Sequence, residues 1–179
     1  MKTPTHSPKG FTLVEMLVTI TIIVILAGIS ISGFKYVTYK QATSQCAIQV
    51  KLLENAIEEY KLDNGEYPPG NGSNTLYNKL YWDTDNDGQG VTNPNGTPLD
   101  LDQKIYIADL DPLNNRQGWS KGNGSAATII DPWGNEYIYK NPGTTNPDFD
   151  LISMGPDGKS PAFSPPAAVA TAKDDIANY

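Results

Sequence analysis

The sequence predicts an α+β protein, with one long N-terminal helix that rests its second half on a small C-terminal antiparallel β-sheet set among long loops. Three observations predict it. An apolar run from Phe11 to Ile31 holds a single ionisable side chain, Glu15. Apolar residues then recur at helical spacing as far as Tyr60. Further on, Tyr137–Tyr139 alternates as a strand does and Phe149–Ser153 reads as a second short strand, with Asn141-Pro142-Gly143 between them.

The apolar run is about 20 residues long, near the length at which a helix crosses hydrocarbon with a 1.5 Å rise per residue. A secretory signal peptide would end in a small-x-small cleavage site. Ala27-Gly28-Ile29-Ser30 fits that only weakly, and the run passes into an amphipathic helix with no turn signal. The segment is therefore expected to stay attached. Glu15 is then expensive: an Asp at the centre of an inserted helix costs about 2.5–3.5 kcal/mol. Off-centre the cost is lower, but the carboxylate still calls for a partner.

Past the run, Cys46, Val50, Leu53, Ile57 and Tyr60 follow one another at spacings of four, three, four and three. That is one stripe of an amphipathic helix. Lys51 with Glu54 and Glu58 with Lys61 are spaced to pair on the outer face. Glu54, Glu58 and Glu59 read as a solvated face rather than a site. Asn64-Gly65 and then Pro68-Pro69 end the helix. Cys46 reads as a small core residue.

From Gly70 to Ile129 the chain is expected to be irregular. Asp83, Asp85, Asp87 and Gly88 spell D-x-D-x-D-G, the opening of a calcium loop, because carboxylates on alternate positions converge where glycine permits the turn. Pro94 stands where such a loop needs its closing Glu, so the loop is a weak metal candidate. Asp131-Pro132-Trp133-Gly134 is a turn ahead of the first strand, with Trp133 as its anchor. Tyr137 and Tyr139 should share one strand face and Ile138 the other. Gly155-Pro156-Asp157-Gly158 closes the second strand.

Composition narrows the function. Twenty acids against thirteen Lys and Arg give a net charge of −7 over 179 residues. Such a chain is a poor nucleic-acid ligand, since phosphate contacts need Lys and Arg. One cysteine forms no internal disulfide. The single histidine, His6, precedes the apolar run, so no Ser-His or Cys-His pair arises beyond it and no enzyme is expected. Fourteen Pro and sixteen Gly lie mostly after residue 64, in keeping with a loop-rich distal half.

Lys9-Gly10-Phe11-Thr12-Leu13-Val14-Glu15 resembles the prepilin peptidase site of type IV pilins and type II secretion pseudopilins. The family pattern is a short basic leader ending in Gly, then Phe, with Glu four residues after it. The resemblance implies cleavage after Gly10 and methylation of the amine of Phe11, and that amine, in the same or an adjacent subunit, is the partner of Glu15. Ser32 stands where many members carry Pro, so any bend or melting there falls to Gly28, Ser30, Ser32 and Gly33. Tyr60 to Pro68 (YKLDNGEYP), Asp131-Pro132-Trp133-Gly134, Ser153-Met154-Gly155-Pro156-Asp157-Gly158 and Asp175-Ile176-Ala177-Asn178-Tyr179 are similar to stretches of major pseudopilins.

The resemblance implies a type IV pilin-like fold divided as a leader at 1–10, a membrane and filament-core helix at 11–34, its amphipathic continuation at 35–64 and a head at 65–179. It also implies a structural calcium ion held by Asp157 and Asp175 carboxylates and the Met154 carbonyl, with Asp174 able to replace Asp175. A physical argument stands beside it: the stretch KSPAFSPPAAVATAK has little to bury, and one hard cation can join the acids at its two ends. The implied function is a structural subunit of a secretion pseudopilus in the bacterial inner membrane, single-pass, with its head in the periplasm. Implied partners are prepilin peptidase, further copies of itself, minor pseudopilins, the inner-membrane secretion platform and membrane lipid. The alternatives are a minor pseudopilin or a type IV pilin for adhesion, motility or DNA uptake. Type IV pilins commonly close a C-terminal loop with a disulfide, which one cysteine does not allow.

Overall fold

The computed structural model describes residues 10–85, 87–92, 97–100, 102–113, 115, 117–159 and 175–178, with backbone alone at 31–33. Helix α1 covers Leu13–Asn64 and is helical throughout, so no melting is seen at 28–33. Ser30 Oγ donates back to Leu26 O at 2.8 Å within it. The chain divides after Gln41 into two compact units. In the first unit every described side chain is exposed. Its helix is long and apolar enough to cross a membrane.

The second unit starts at Ala42 and contains the core. The stripe predicted on α1 is its floor: Cys46, Val50, Leu53, Ile57 and Tyr60 are all buried, and Ala56 joins them. Gly65, at φ +80°, stops the helix by donating its N–H to Lys61 O at 2.8 Å, a left-handed turn that glycine adopts freely. Lys51 and Glu54 pair at 2.7 Å as expected. Glu58 and Lys61 do not pair directly. Past the Gly65 turn the chain brings Tyr67 back between them. Its hydroxyl donates to Glu58 at 3.0 Å, and Lys61 Nζ sits 3.9 Å from the ring centroid. Glu59 pairs with Lys104 at 2.8 Å, so each acid on this face has its own partner.

Against α1 lies a four-stranded antiparallel sheet in the order β1, β4, β5, β6. These strands are Gly70–Asn71, Ile138–Asn141, Asp150–Ser153 and Ile176–Ala177. β4 and β5 form the predicted hairpin, with Tyr139 opposite Leu151. Tyr137 and Tyr139 are buried on one face while Ile138 is only partly covered. A second, two-stranded sheet pairs β2 (Ser120–Lys121) with β3 (Thr128–Ile129).

The region expected to be irregular holds more order than its composition suggested. Helix α2 (Ser73–Tyr77) runs into a π-turn over Asn78–Trp82. Leu76, Tyr77, Leu80 and Tyr81 from these two turns are buried in the same core as the α1 stripe. Ser73 Oγ accepts from Ile129 N at 2.6 Å and donates to Ile129 O at 2.5 Å, tying α2 to β3. Trp119 and Leu110 complete this side. Two buried carboxylates anchor the loops. Asp131 accepts from the N–H groups of Trp133 and Asn135 and from Ser153 Oγ, and Asp150 accepts from the N–H groups of Thr145 and Asn146. Buried charge is tolerable when it is met by donors in this way.

Candidate functional site

Three places gather the residues that the sequence singled out. The first is the start of α1. Gly10 and Phe11 are exposed, and an added Cβ on Gly10 would meet nothing within 4 Å. Glu15 Oε2 accepts from both the N–H and the hydroxyl of Thr12, at 2.9 and 2.8 Å, and Thr12 Oγ1 accepts from Glu15 N at 3.2 Å. This is a capping box: two N–H groups that the helix start leaves without intrahelical partners are satisfied reciprocally by side chains. The carboxylate that looked stranded in the apolar run thus has a partner inside its own chain. Thr12 is the capping partner of Glu15, a part that the apolar spacing alone did not assign to it. The T-x-x-E spacing ahead of an apolar run was its signal.

The second is the loop after the π-turn. Carboxylate oxygens of Asp83, Asp85 and Asp87 come within 4.8 Å of one another, an arrangement that could hold a metal ion. The loop is shaped from inside: Gly88 N donates to Asp83 Oδ1 at 3.3 Å and Asp87 N to Asp85 Oδ1 at 3.3 Å. Its base is closed by Val91 N bonding to Trp82 O at 3.0 Å. Gly90 lies directly under the Trp82 indole, where an added Cβ would sit 2.1 Å from ring carbons. Buried Thr84 holds the loop to the body through Gln103 Oε1.

The third is the far end of the sheet. β5 and β6 pair with Ser153 opposite Ile176. Met154 and Asp175 are the chain neighbours of that pair, and Met154 already turns out of the strand at φ −77°, ψ 3°. Asp157 follows in the single turn Gly155–Asp157, its Oδ1 accepting from Lys159 N at 2.8 Å. Gly158 ends this turn at φ +65°. Asp175 Oδ1 is closed off from solvent. Asp174 and the stretch 160–173 lie outside the described residues. The donor types are a backbone carbonyl and carboxylates, which is what a hard cation takes.

The family described as "Type II secretion system (T2SS), protein G" matches residues 102–171, and the "Prokaryotic N-terminal methylation motif" matches residues 6–31. Type II secretion system core protein G of Escherichia coli (strain K12) is 30% identical over 178 residues, covering 98% of this chain and 93% of that protein. The chain belongs to the type II secretion core protein G family. Its relative of the same name from Pseudomonas aeruginosa is 32% identical over 152 residues, covering 84% of this chain and 85% of that one. The crystal structure of the major pseudopilin from the type 2 secretion system of enterohaemorrhagic Escherichia coli aligns at a TM-score of 0.44 and 25% identity, over 79% of this chain and 85% of that one. A fimbrial protein of Neisseria meningitidis matches at 34% identity over 65 residues, 36% of this chain. The core protein G family matches nearly the whole chain, the fimbrial protein about a third of it.

Proposed function

We infer that this chain is a structural subunit of a type II secretion pseudopilus. It is made as a precursor, cleaved after Gly10 by prepilin peptidase and methylated on the amine of Phe11. Residues 11–34 anchor it once across the bacterial inner membrane, with the rest in the periplasm. Copies polymerise through their N-terminal helices on the inner-membrane secretion platform, together with minor pseudopilins, and the growing filament moves exported proteins outward.

One observation carries this reading. From Leu13 to Leu26 the large apolar side chains of α1 stand open, Leu13 at 81% and Ile23 at 63% exposure, while the core of the second unit closes without them. So much apolar surface is stable only in lipid or against other helices. Membrane residence before assembly and helix packing after it supply the two environments. Thr12 lowers the cost of carrying Glu15 into either. The Phe11 amine of the same or an adjacent copy is the second partner, and it sets the axial register of neighbouring subunits.

Calcium fits the reading as a structural ion. Met154 carbonyl and the Asp157 and Asp175 carboxylates would hold it, and it would fasten the Pro- and Ala-rich stretch between them to the end of the sheet. The β5–β6 pairing supports this choice by setting Ser153 beside Ile176, 23 positions apart in the chain, which brings Met154 and Asp175, their chain neighbours, to the same end of the sheet.

The test is the intact mass of the protein from native membranes with active peptidase, followed by electron microscopy of sheared filaments. The expected mass begins at Phe11 and includes one methyl group. A chain that keeps residues 1–10, or membranes that yield no filaments when the secretion genes are expressed, would overturn the reading.

A further inference from the structure

The head carries a cavity of about 370 Å³ between the outer face of α1 and the segment Tyr106–Asp109. Its volume falls in the range of sites that accept a side chain or small ligand. Ala56 and Trp119 line it, and Leu52, Glu59 and Asp109 stand around them. Trp119 is 2% exposed, yet its Nε1–H has no hydrogen-bond acceptor. A buried indole N–H normally finds one. Leu52 and Ile48, 43% and 60% exposed, continue the apolar lining outward along α1. Lys104 pairs with Glu59 at 2.8 Å and with neighbouring Asp63 at 2.6 Å, while Asp109 accepts from Gln117 Nε2 at 3.4 Å and has no ion pair among the described residues. The cavity therefore suits an apolar body that carries an acceptor oxygen and a positive charge.

A second copy of this chain supplies that combination. Phe34, Tyr36 and Val37 are 70%, 65% and 60% exposed, just beyond the most apolar part of α1. Tyr36 and Lys40 are four residues apart and share a helix face. Charge divides the same way: residues 42–179 hold nine Lys and Arg against nineteen Asp and Glu, a balance of −10, whereas residues 16–41 hold Lys35 and Lys40 and no acid. Opposite potentials on the two segments favour contact between copies.

We propose that Phe34–Lys40 of one copy seats in this cavity of a neighbour. The Tyr36 hydroxyl oxygen accepts from Trp119 Nε1–H, and the Lys40 ammonium meets Asp109 and Glu59. The contact rests on the filament reading above and specifies which surfaces meet in it.

The experiment uses the full-length chain in secreting cells. Cys46 is buried, so it gives no background for engineered thiols. A chain carrying both Tyr36→Cys and Ala108→Cys is oxidised in sheared filaments. The expected result is a ladder of covalent multimers, absent when Asp148→Cys replaces Ala108→Cys. Separately, Lys40→Glu lowers filament yield about tenfold, and adding Asp109→Lys restores it, the behaviour of an attractive pair made repulsive and then reversed. Filaments that form without the ladder and without the charge rescue overturn the contact while leaving the filament reading intact; this is also the result expected if Lys35 and Lys40 only face lipid headgroups. No filaments from the unaltered chain would instead bring down the filament reading. If Tyr36→Cys alone blocks assembly, the charge exchange decides.

Discussion

Replacing Tyr137 by Phe measures how firmly α1 is fastened to the sheet. The Tyr137 hydroxyl donates to Gln49 Oε1 at 2.8 Å and lies 3.5 Å from Cys46 Sγ. Gln49 is 1% exposed, and its Nε2 already lacks a partner. Tyr137→Phe strands Gln49 Oε1 as well, and leaving a buried acceptor unmet costs about 1–3 kcal/mol. A loss of about 2 kcal/mol lowers Tm by roughly 4–8 °C in a domain of this size. Gln49→Leu strands the tyrosine hydroxyl but removes the partnerless amide, so it should cost less. With both changes neither polar group remains, and stability should return toward wild type. The assay is thermal unfolding by circular dichroism on a fragment from Lys35 to the end, since the core lies wholly within residues 42–179. Additive losses in the double variant would refute the reasoning. The helix would then be held by apolar contact alone, with the hydroxyl and the amide uncoupled.

Three more predictions follow from the same structure. Burial raises the acid ionisations of Tyr77, Tyr137 and Tyr139 and pushes Tyr81 up to about 12. An unfolded chain releases those protons near pH 10 while the folded one keeps them, so stability is level below about pH 10 and falls as pH rises from there; a Tm unchanged from pH 9 to 11.5 would contradict this. Gln can take the place of Glu in a capping box, so Glu15→Gln should keep helix α1 and membrane insertion but lower filament yield, while Thr12→Ala loosens the helix start by about 0.5–2 kcal/mol; wild-type filament yield from Glu15→Gln would remove the charge from assembly. Calcium at a hundredfold excess over its Kd should stabilise the fragment by about 2.7 kcal/mol; Asp157→Ala should abolish that gain and Asp87→Ala should leave it, and the opposite pattern in calorimetry would move the ion to the Asp83–Asp87 loop.

Long periods and paired turns were readable from the residues alone. The α1 stripe from Cys46 to Tyr60 carries five apolar residues at helical spacing, and all five are buried. The β4–β5 hairpin had alternation on its first strand, a short apolar second strand and a Gly/Pro loop between them, although all four residues of β5 turn out buried. Order between Gly70 and Ile129 was harder to read for two reasons. Its strands are two residues long, too short for a period of two to show. Its helical part is split between an α-helix and a π-turn. Even so, Leu76, Tyr77, Leu80 and Tyr81 repeat four apart and could have been read as one buried face. The Glu58–Lys61 pairing failed because spacing along a helix says nothing of what returns from a later turn, here Tyr67. The three carboxylates of Asp83–Asp87 were found by motif and do converge. That Ser153 pairs with Ile176, bringing Met154 and Asp175 to one end of the sheet, depends on strand register, which no local pattern encodes.

Among the described residues the four-stranded sheet is bordered by β1 and β6, each two residues long. An edge so short offers a neighbouring chain almost no ladder of backbone hydrogen bonds. Many heads crowded together along a filament therefore lack the means to stitch into one continuous sheet, the route by which closely stacked strands become practically irreversible. Contact between heads is left to side chains and cohesion to the helices. Subunits joined in that way have no strands to pull apart when they separate.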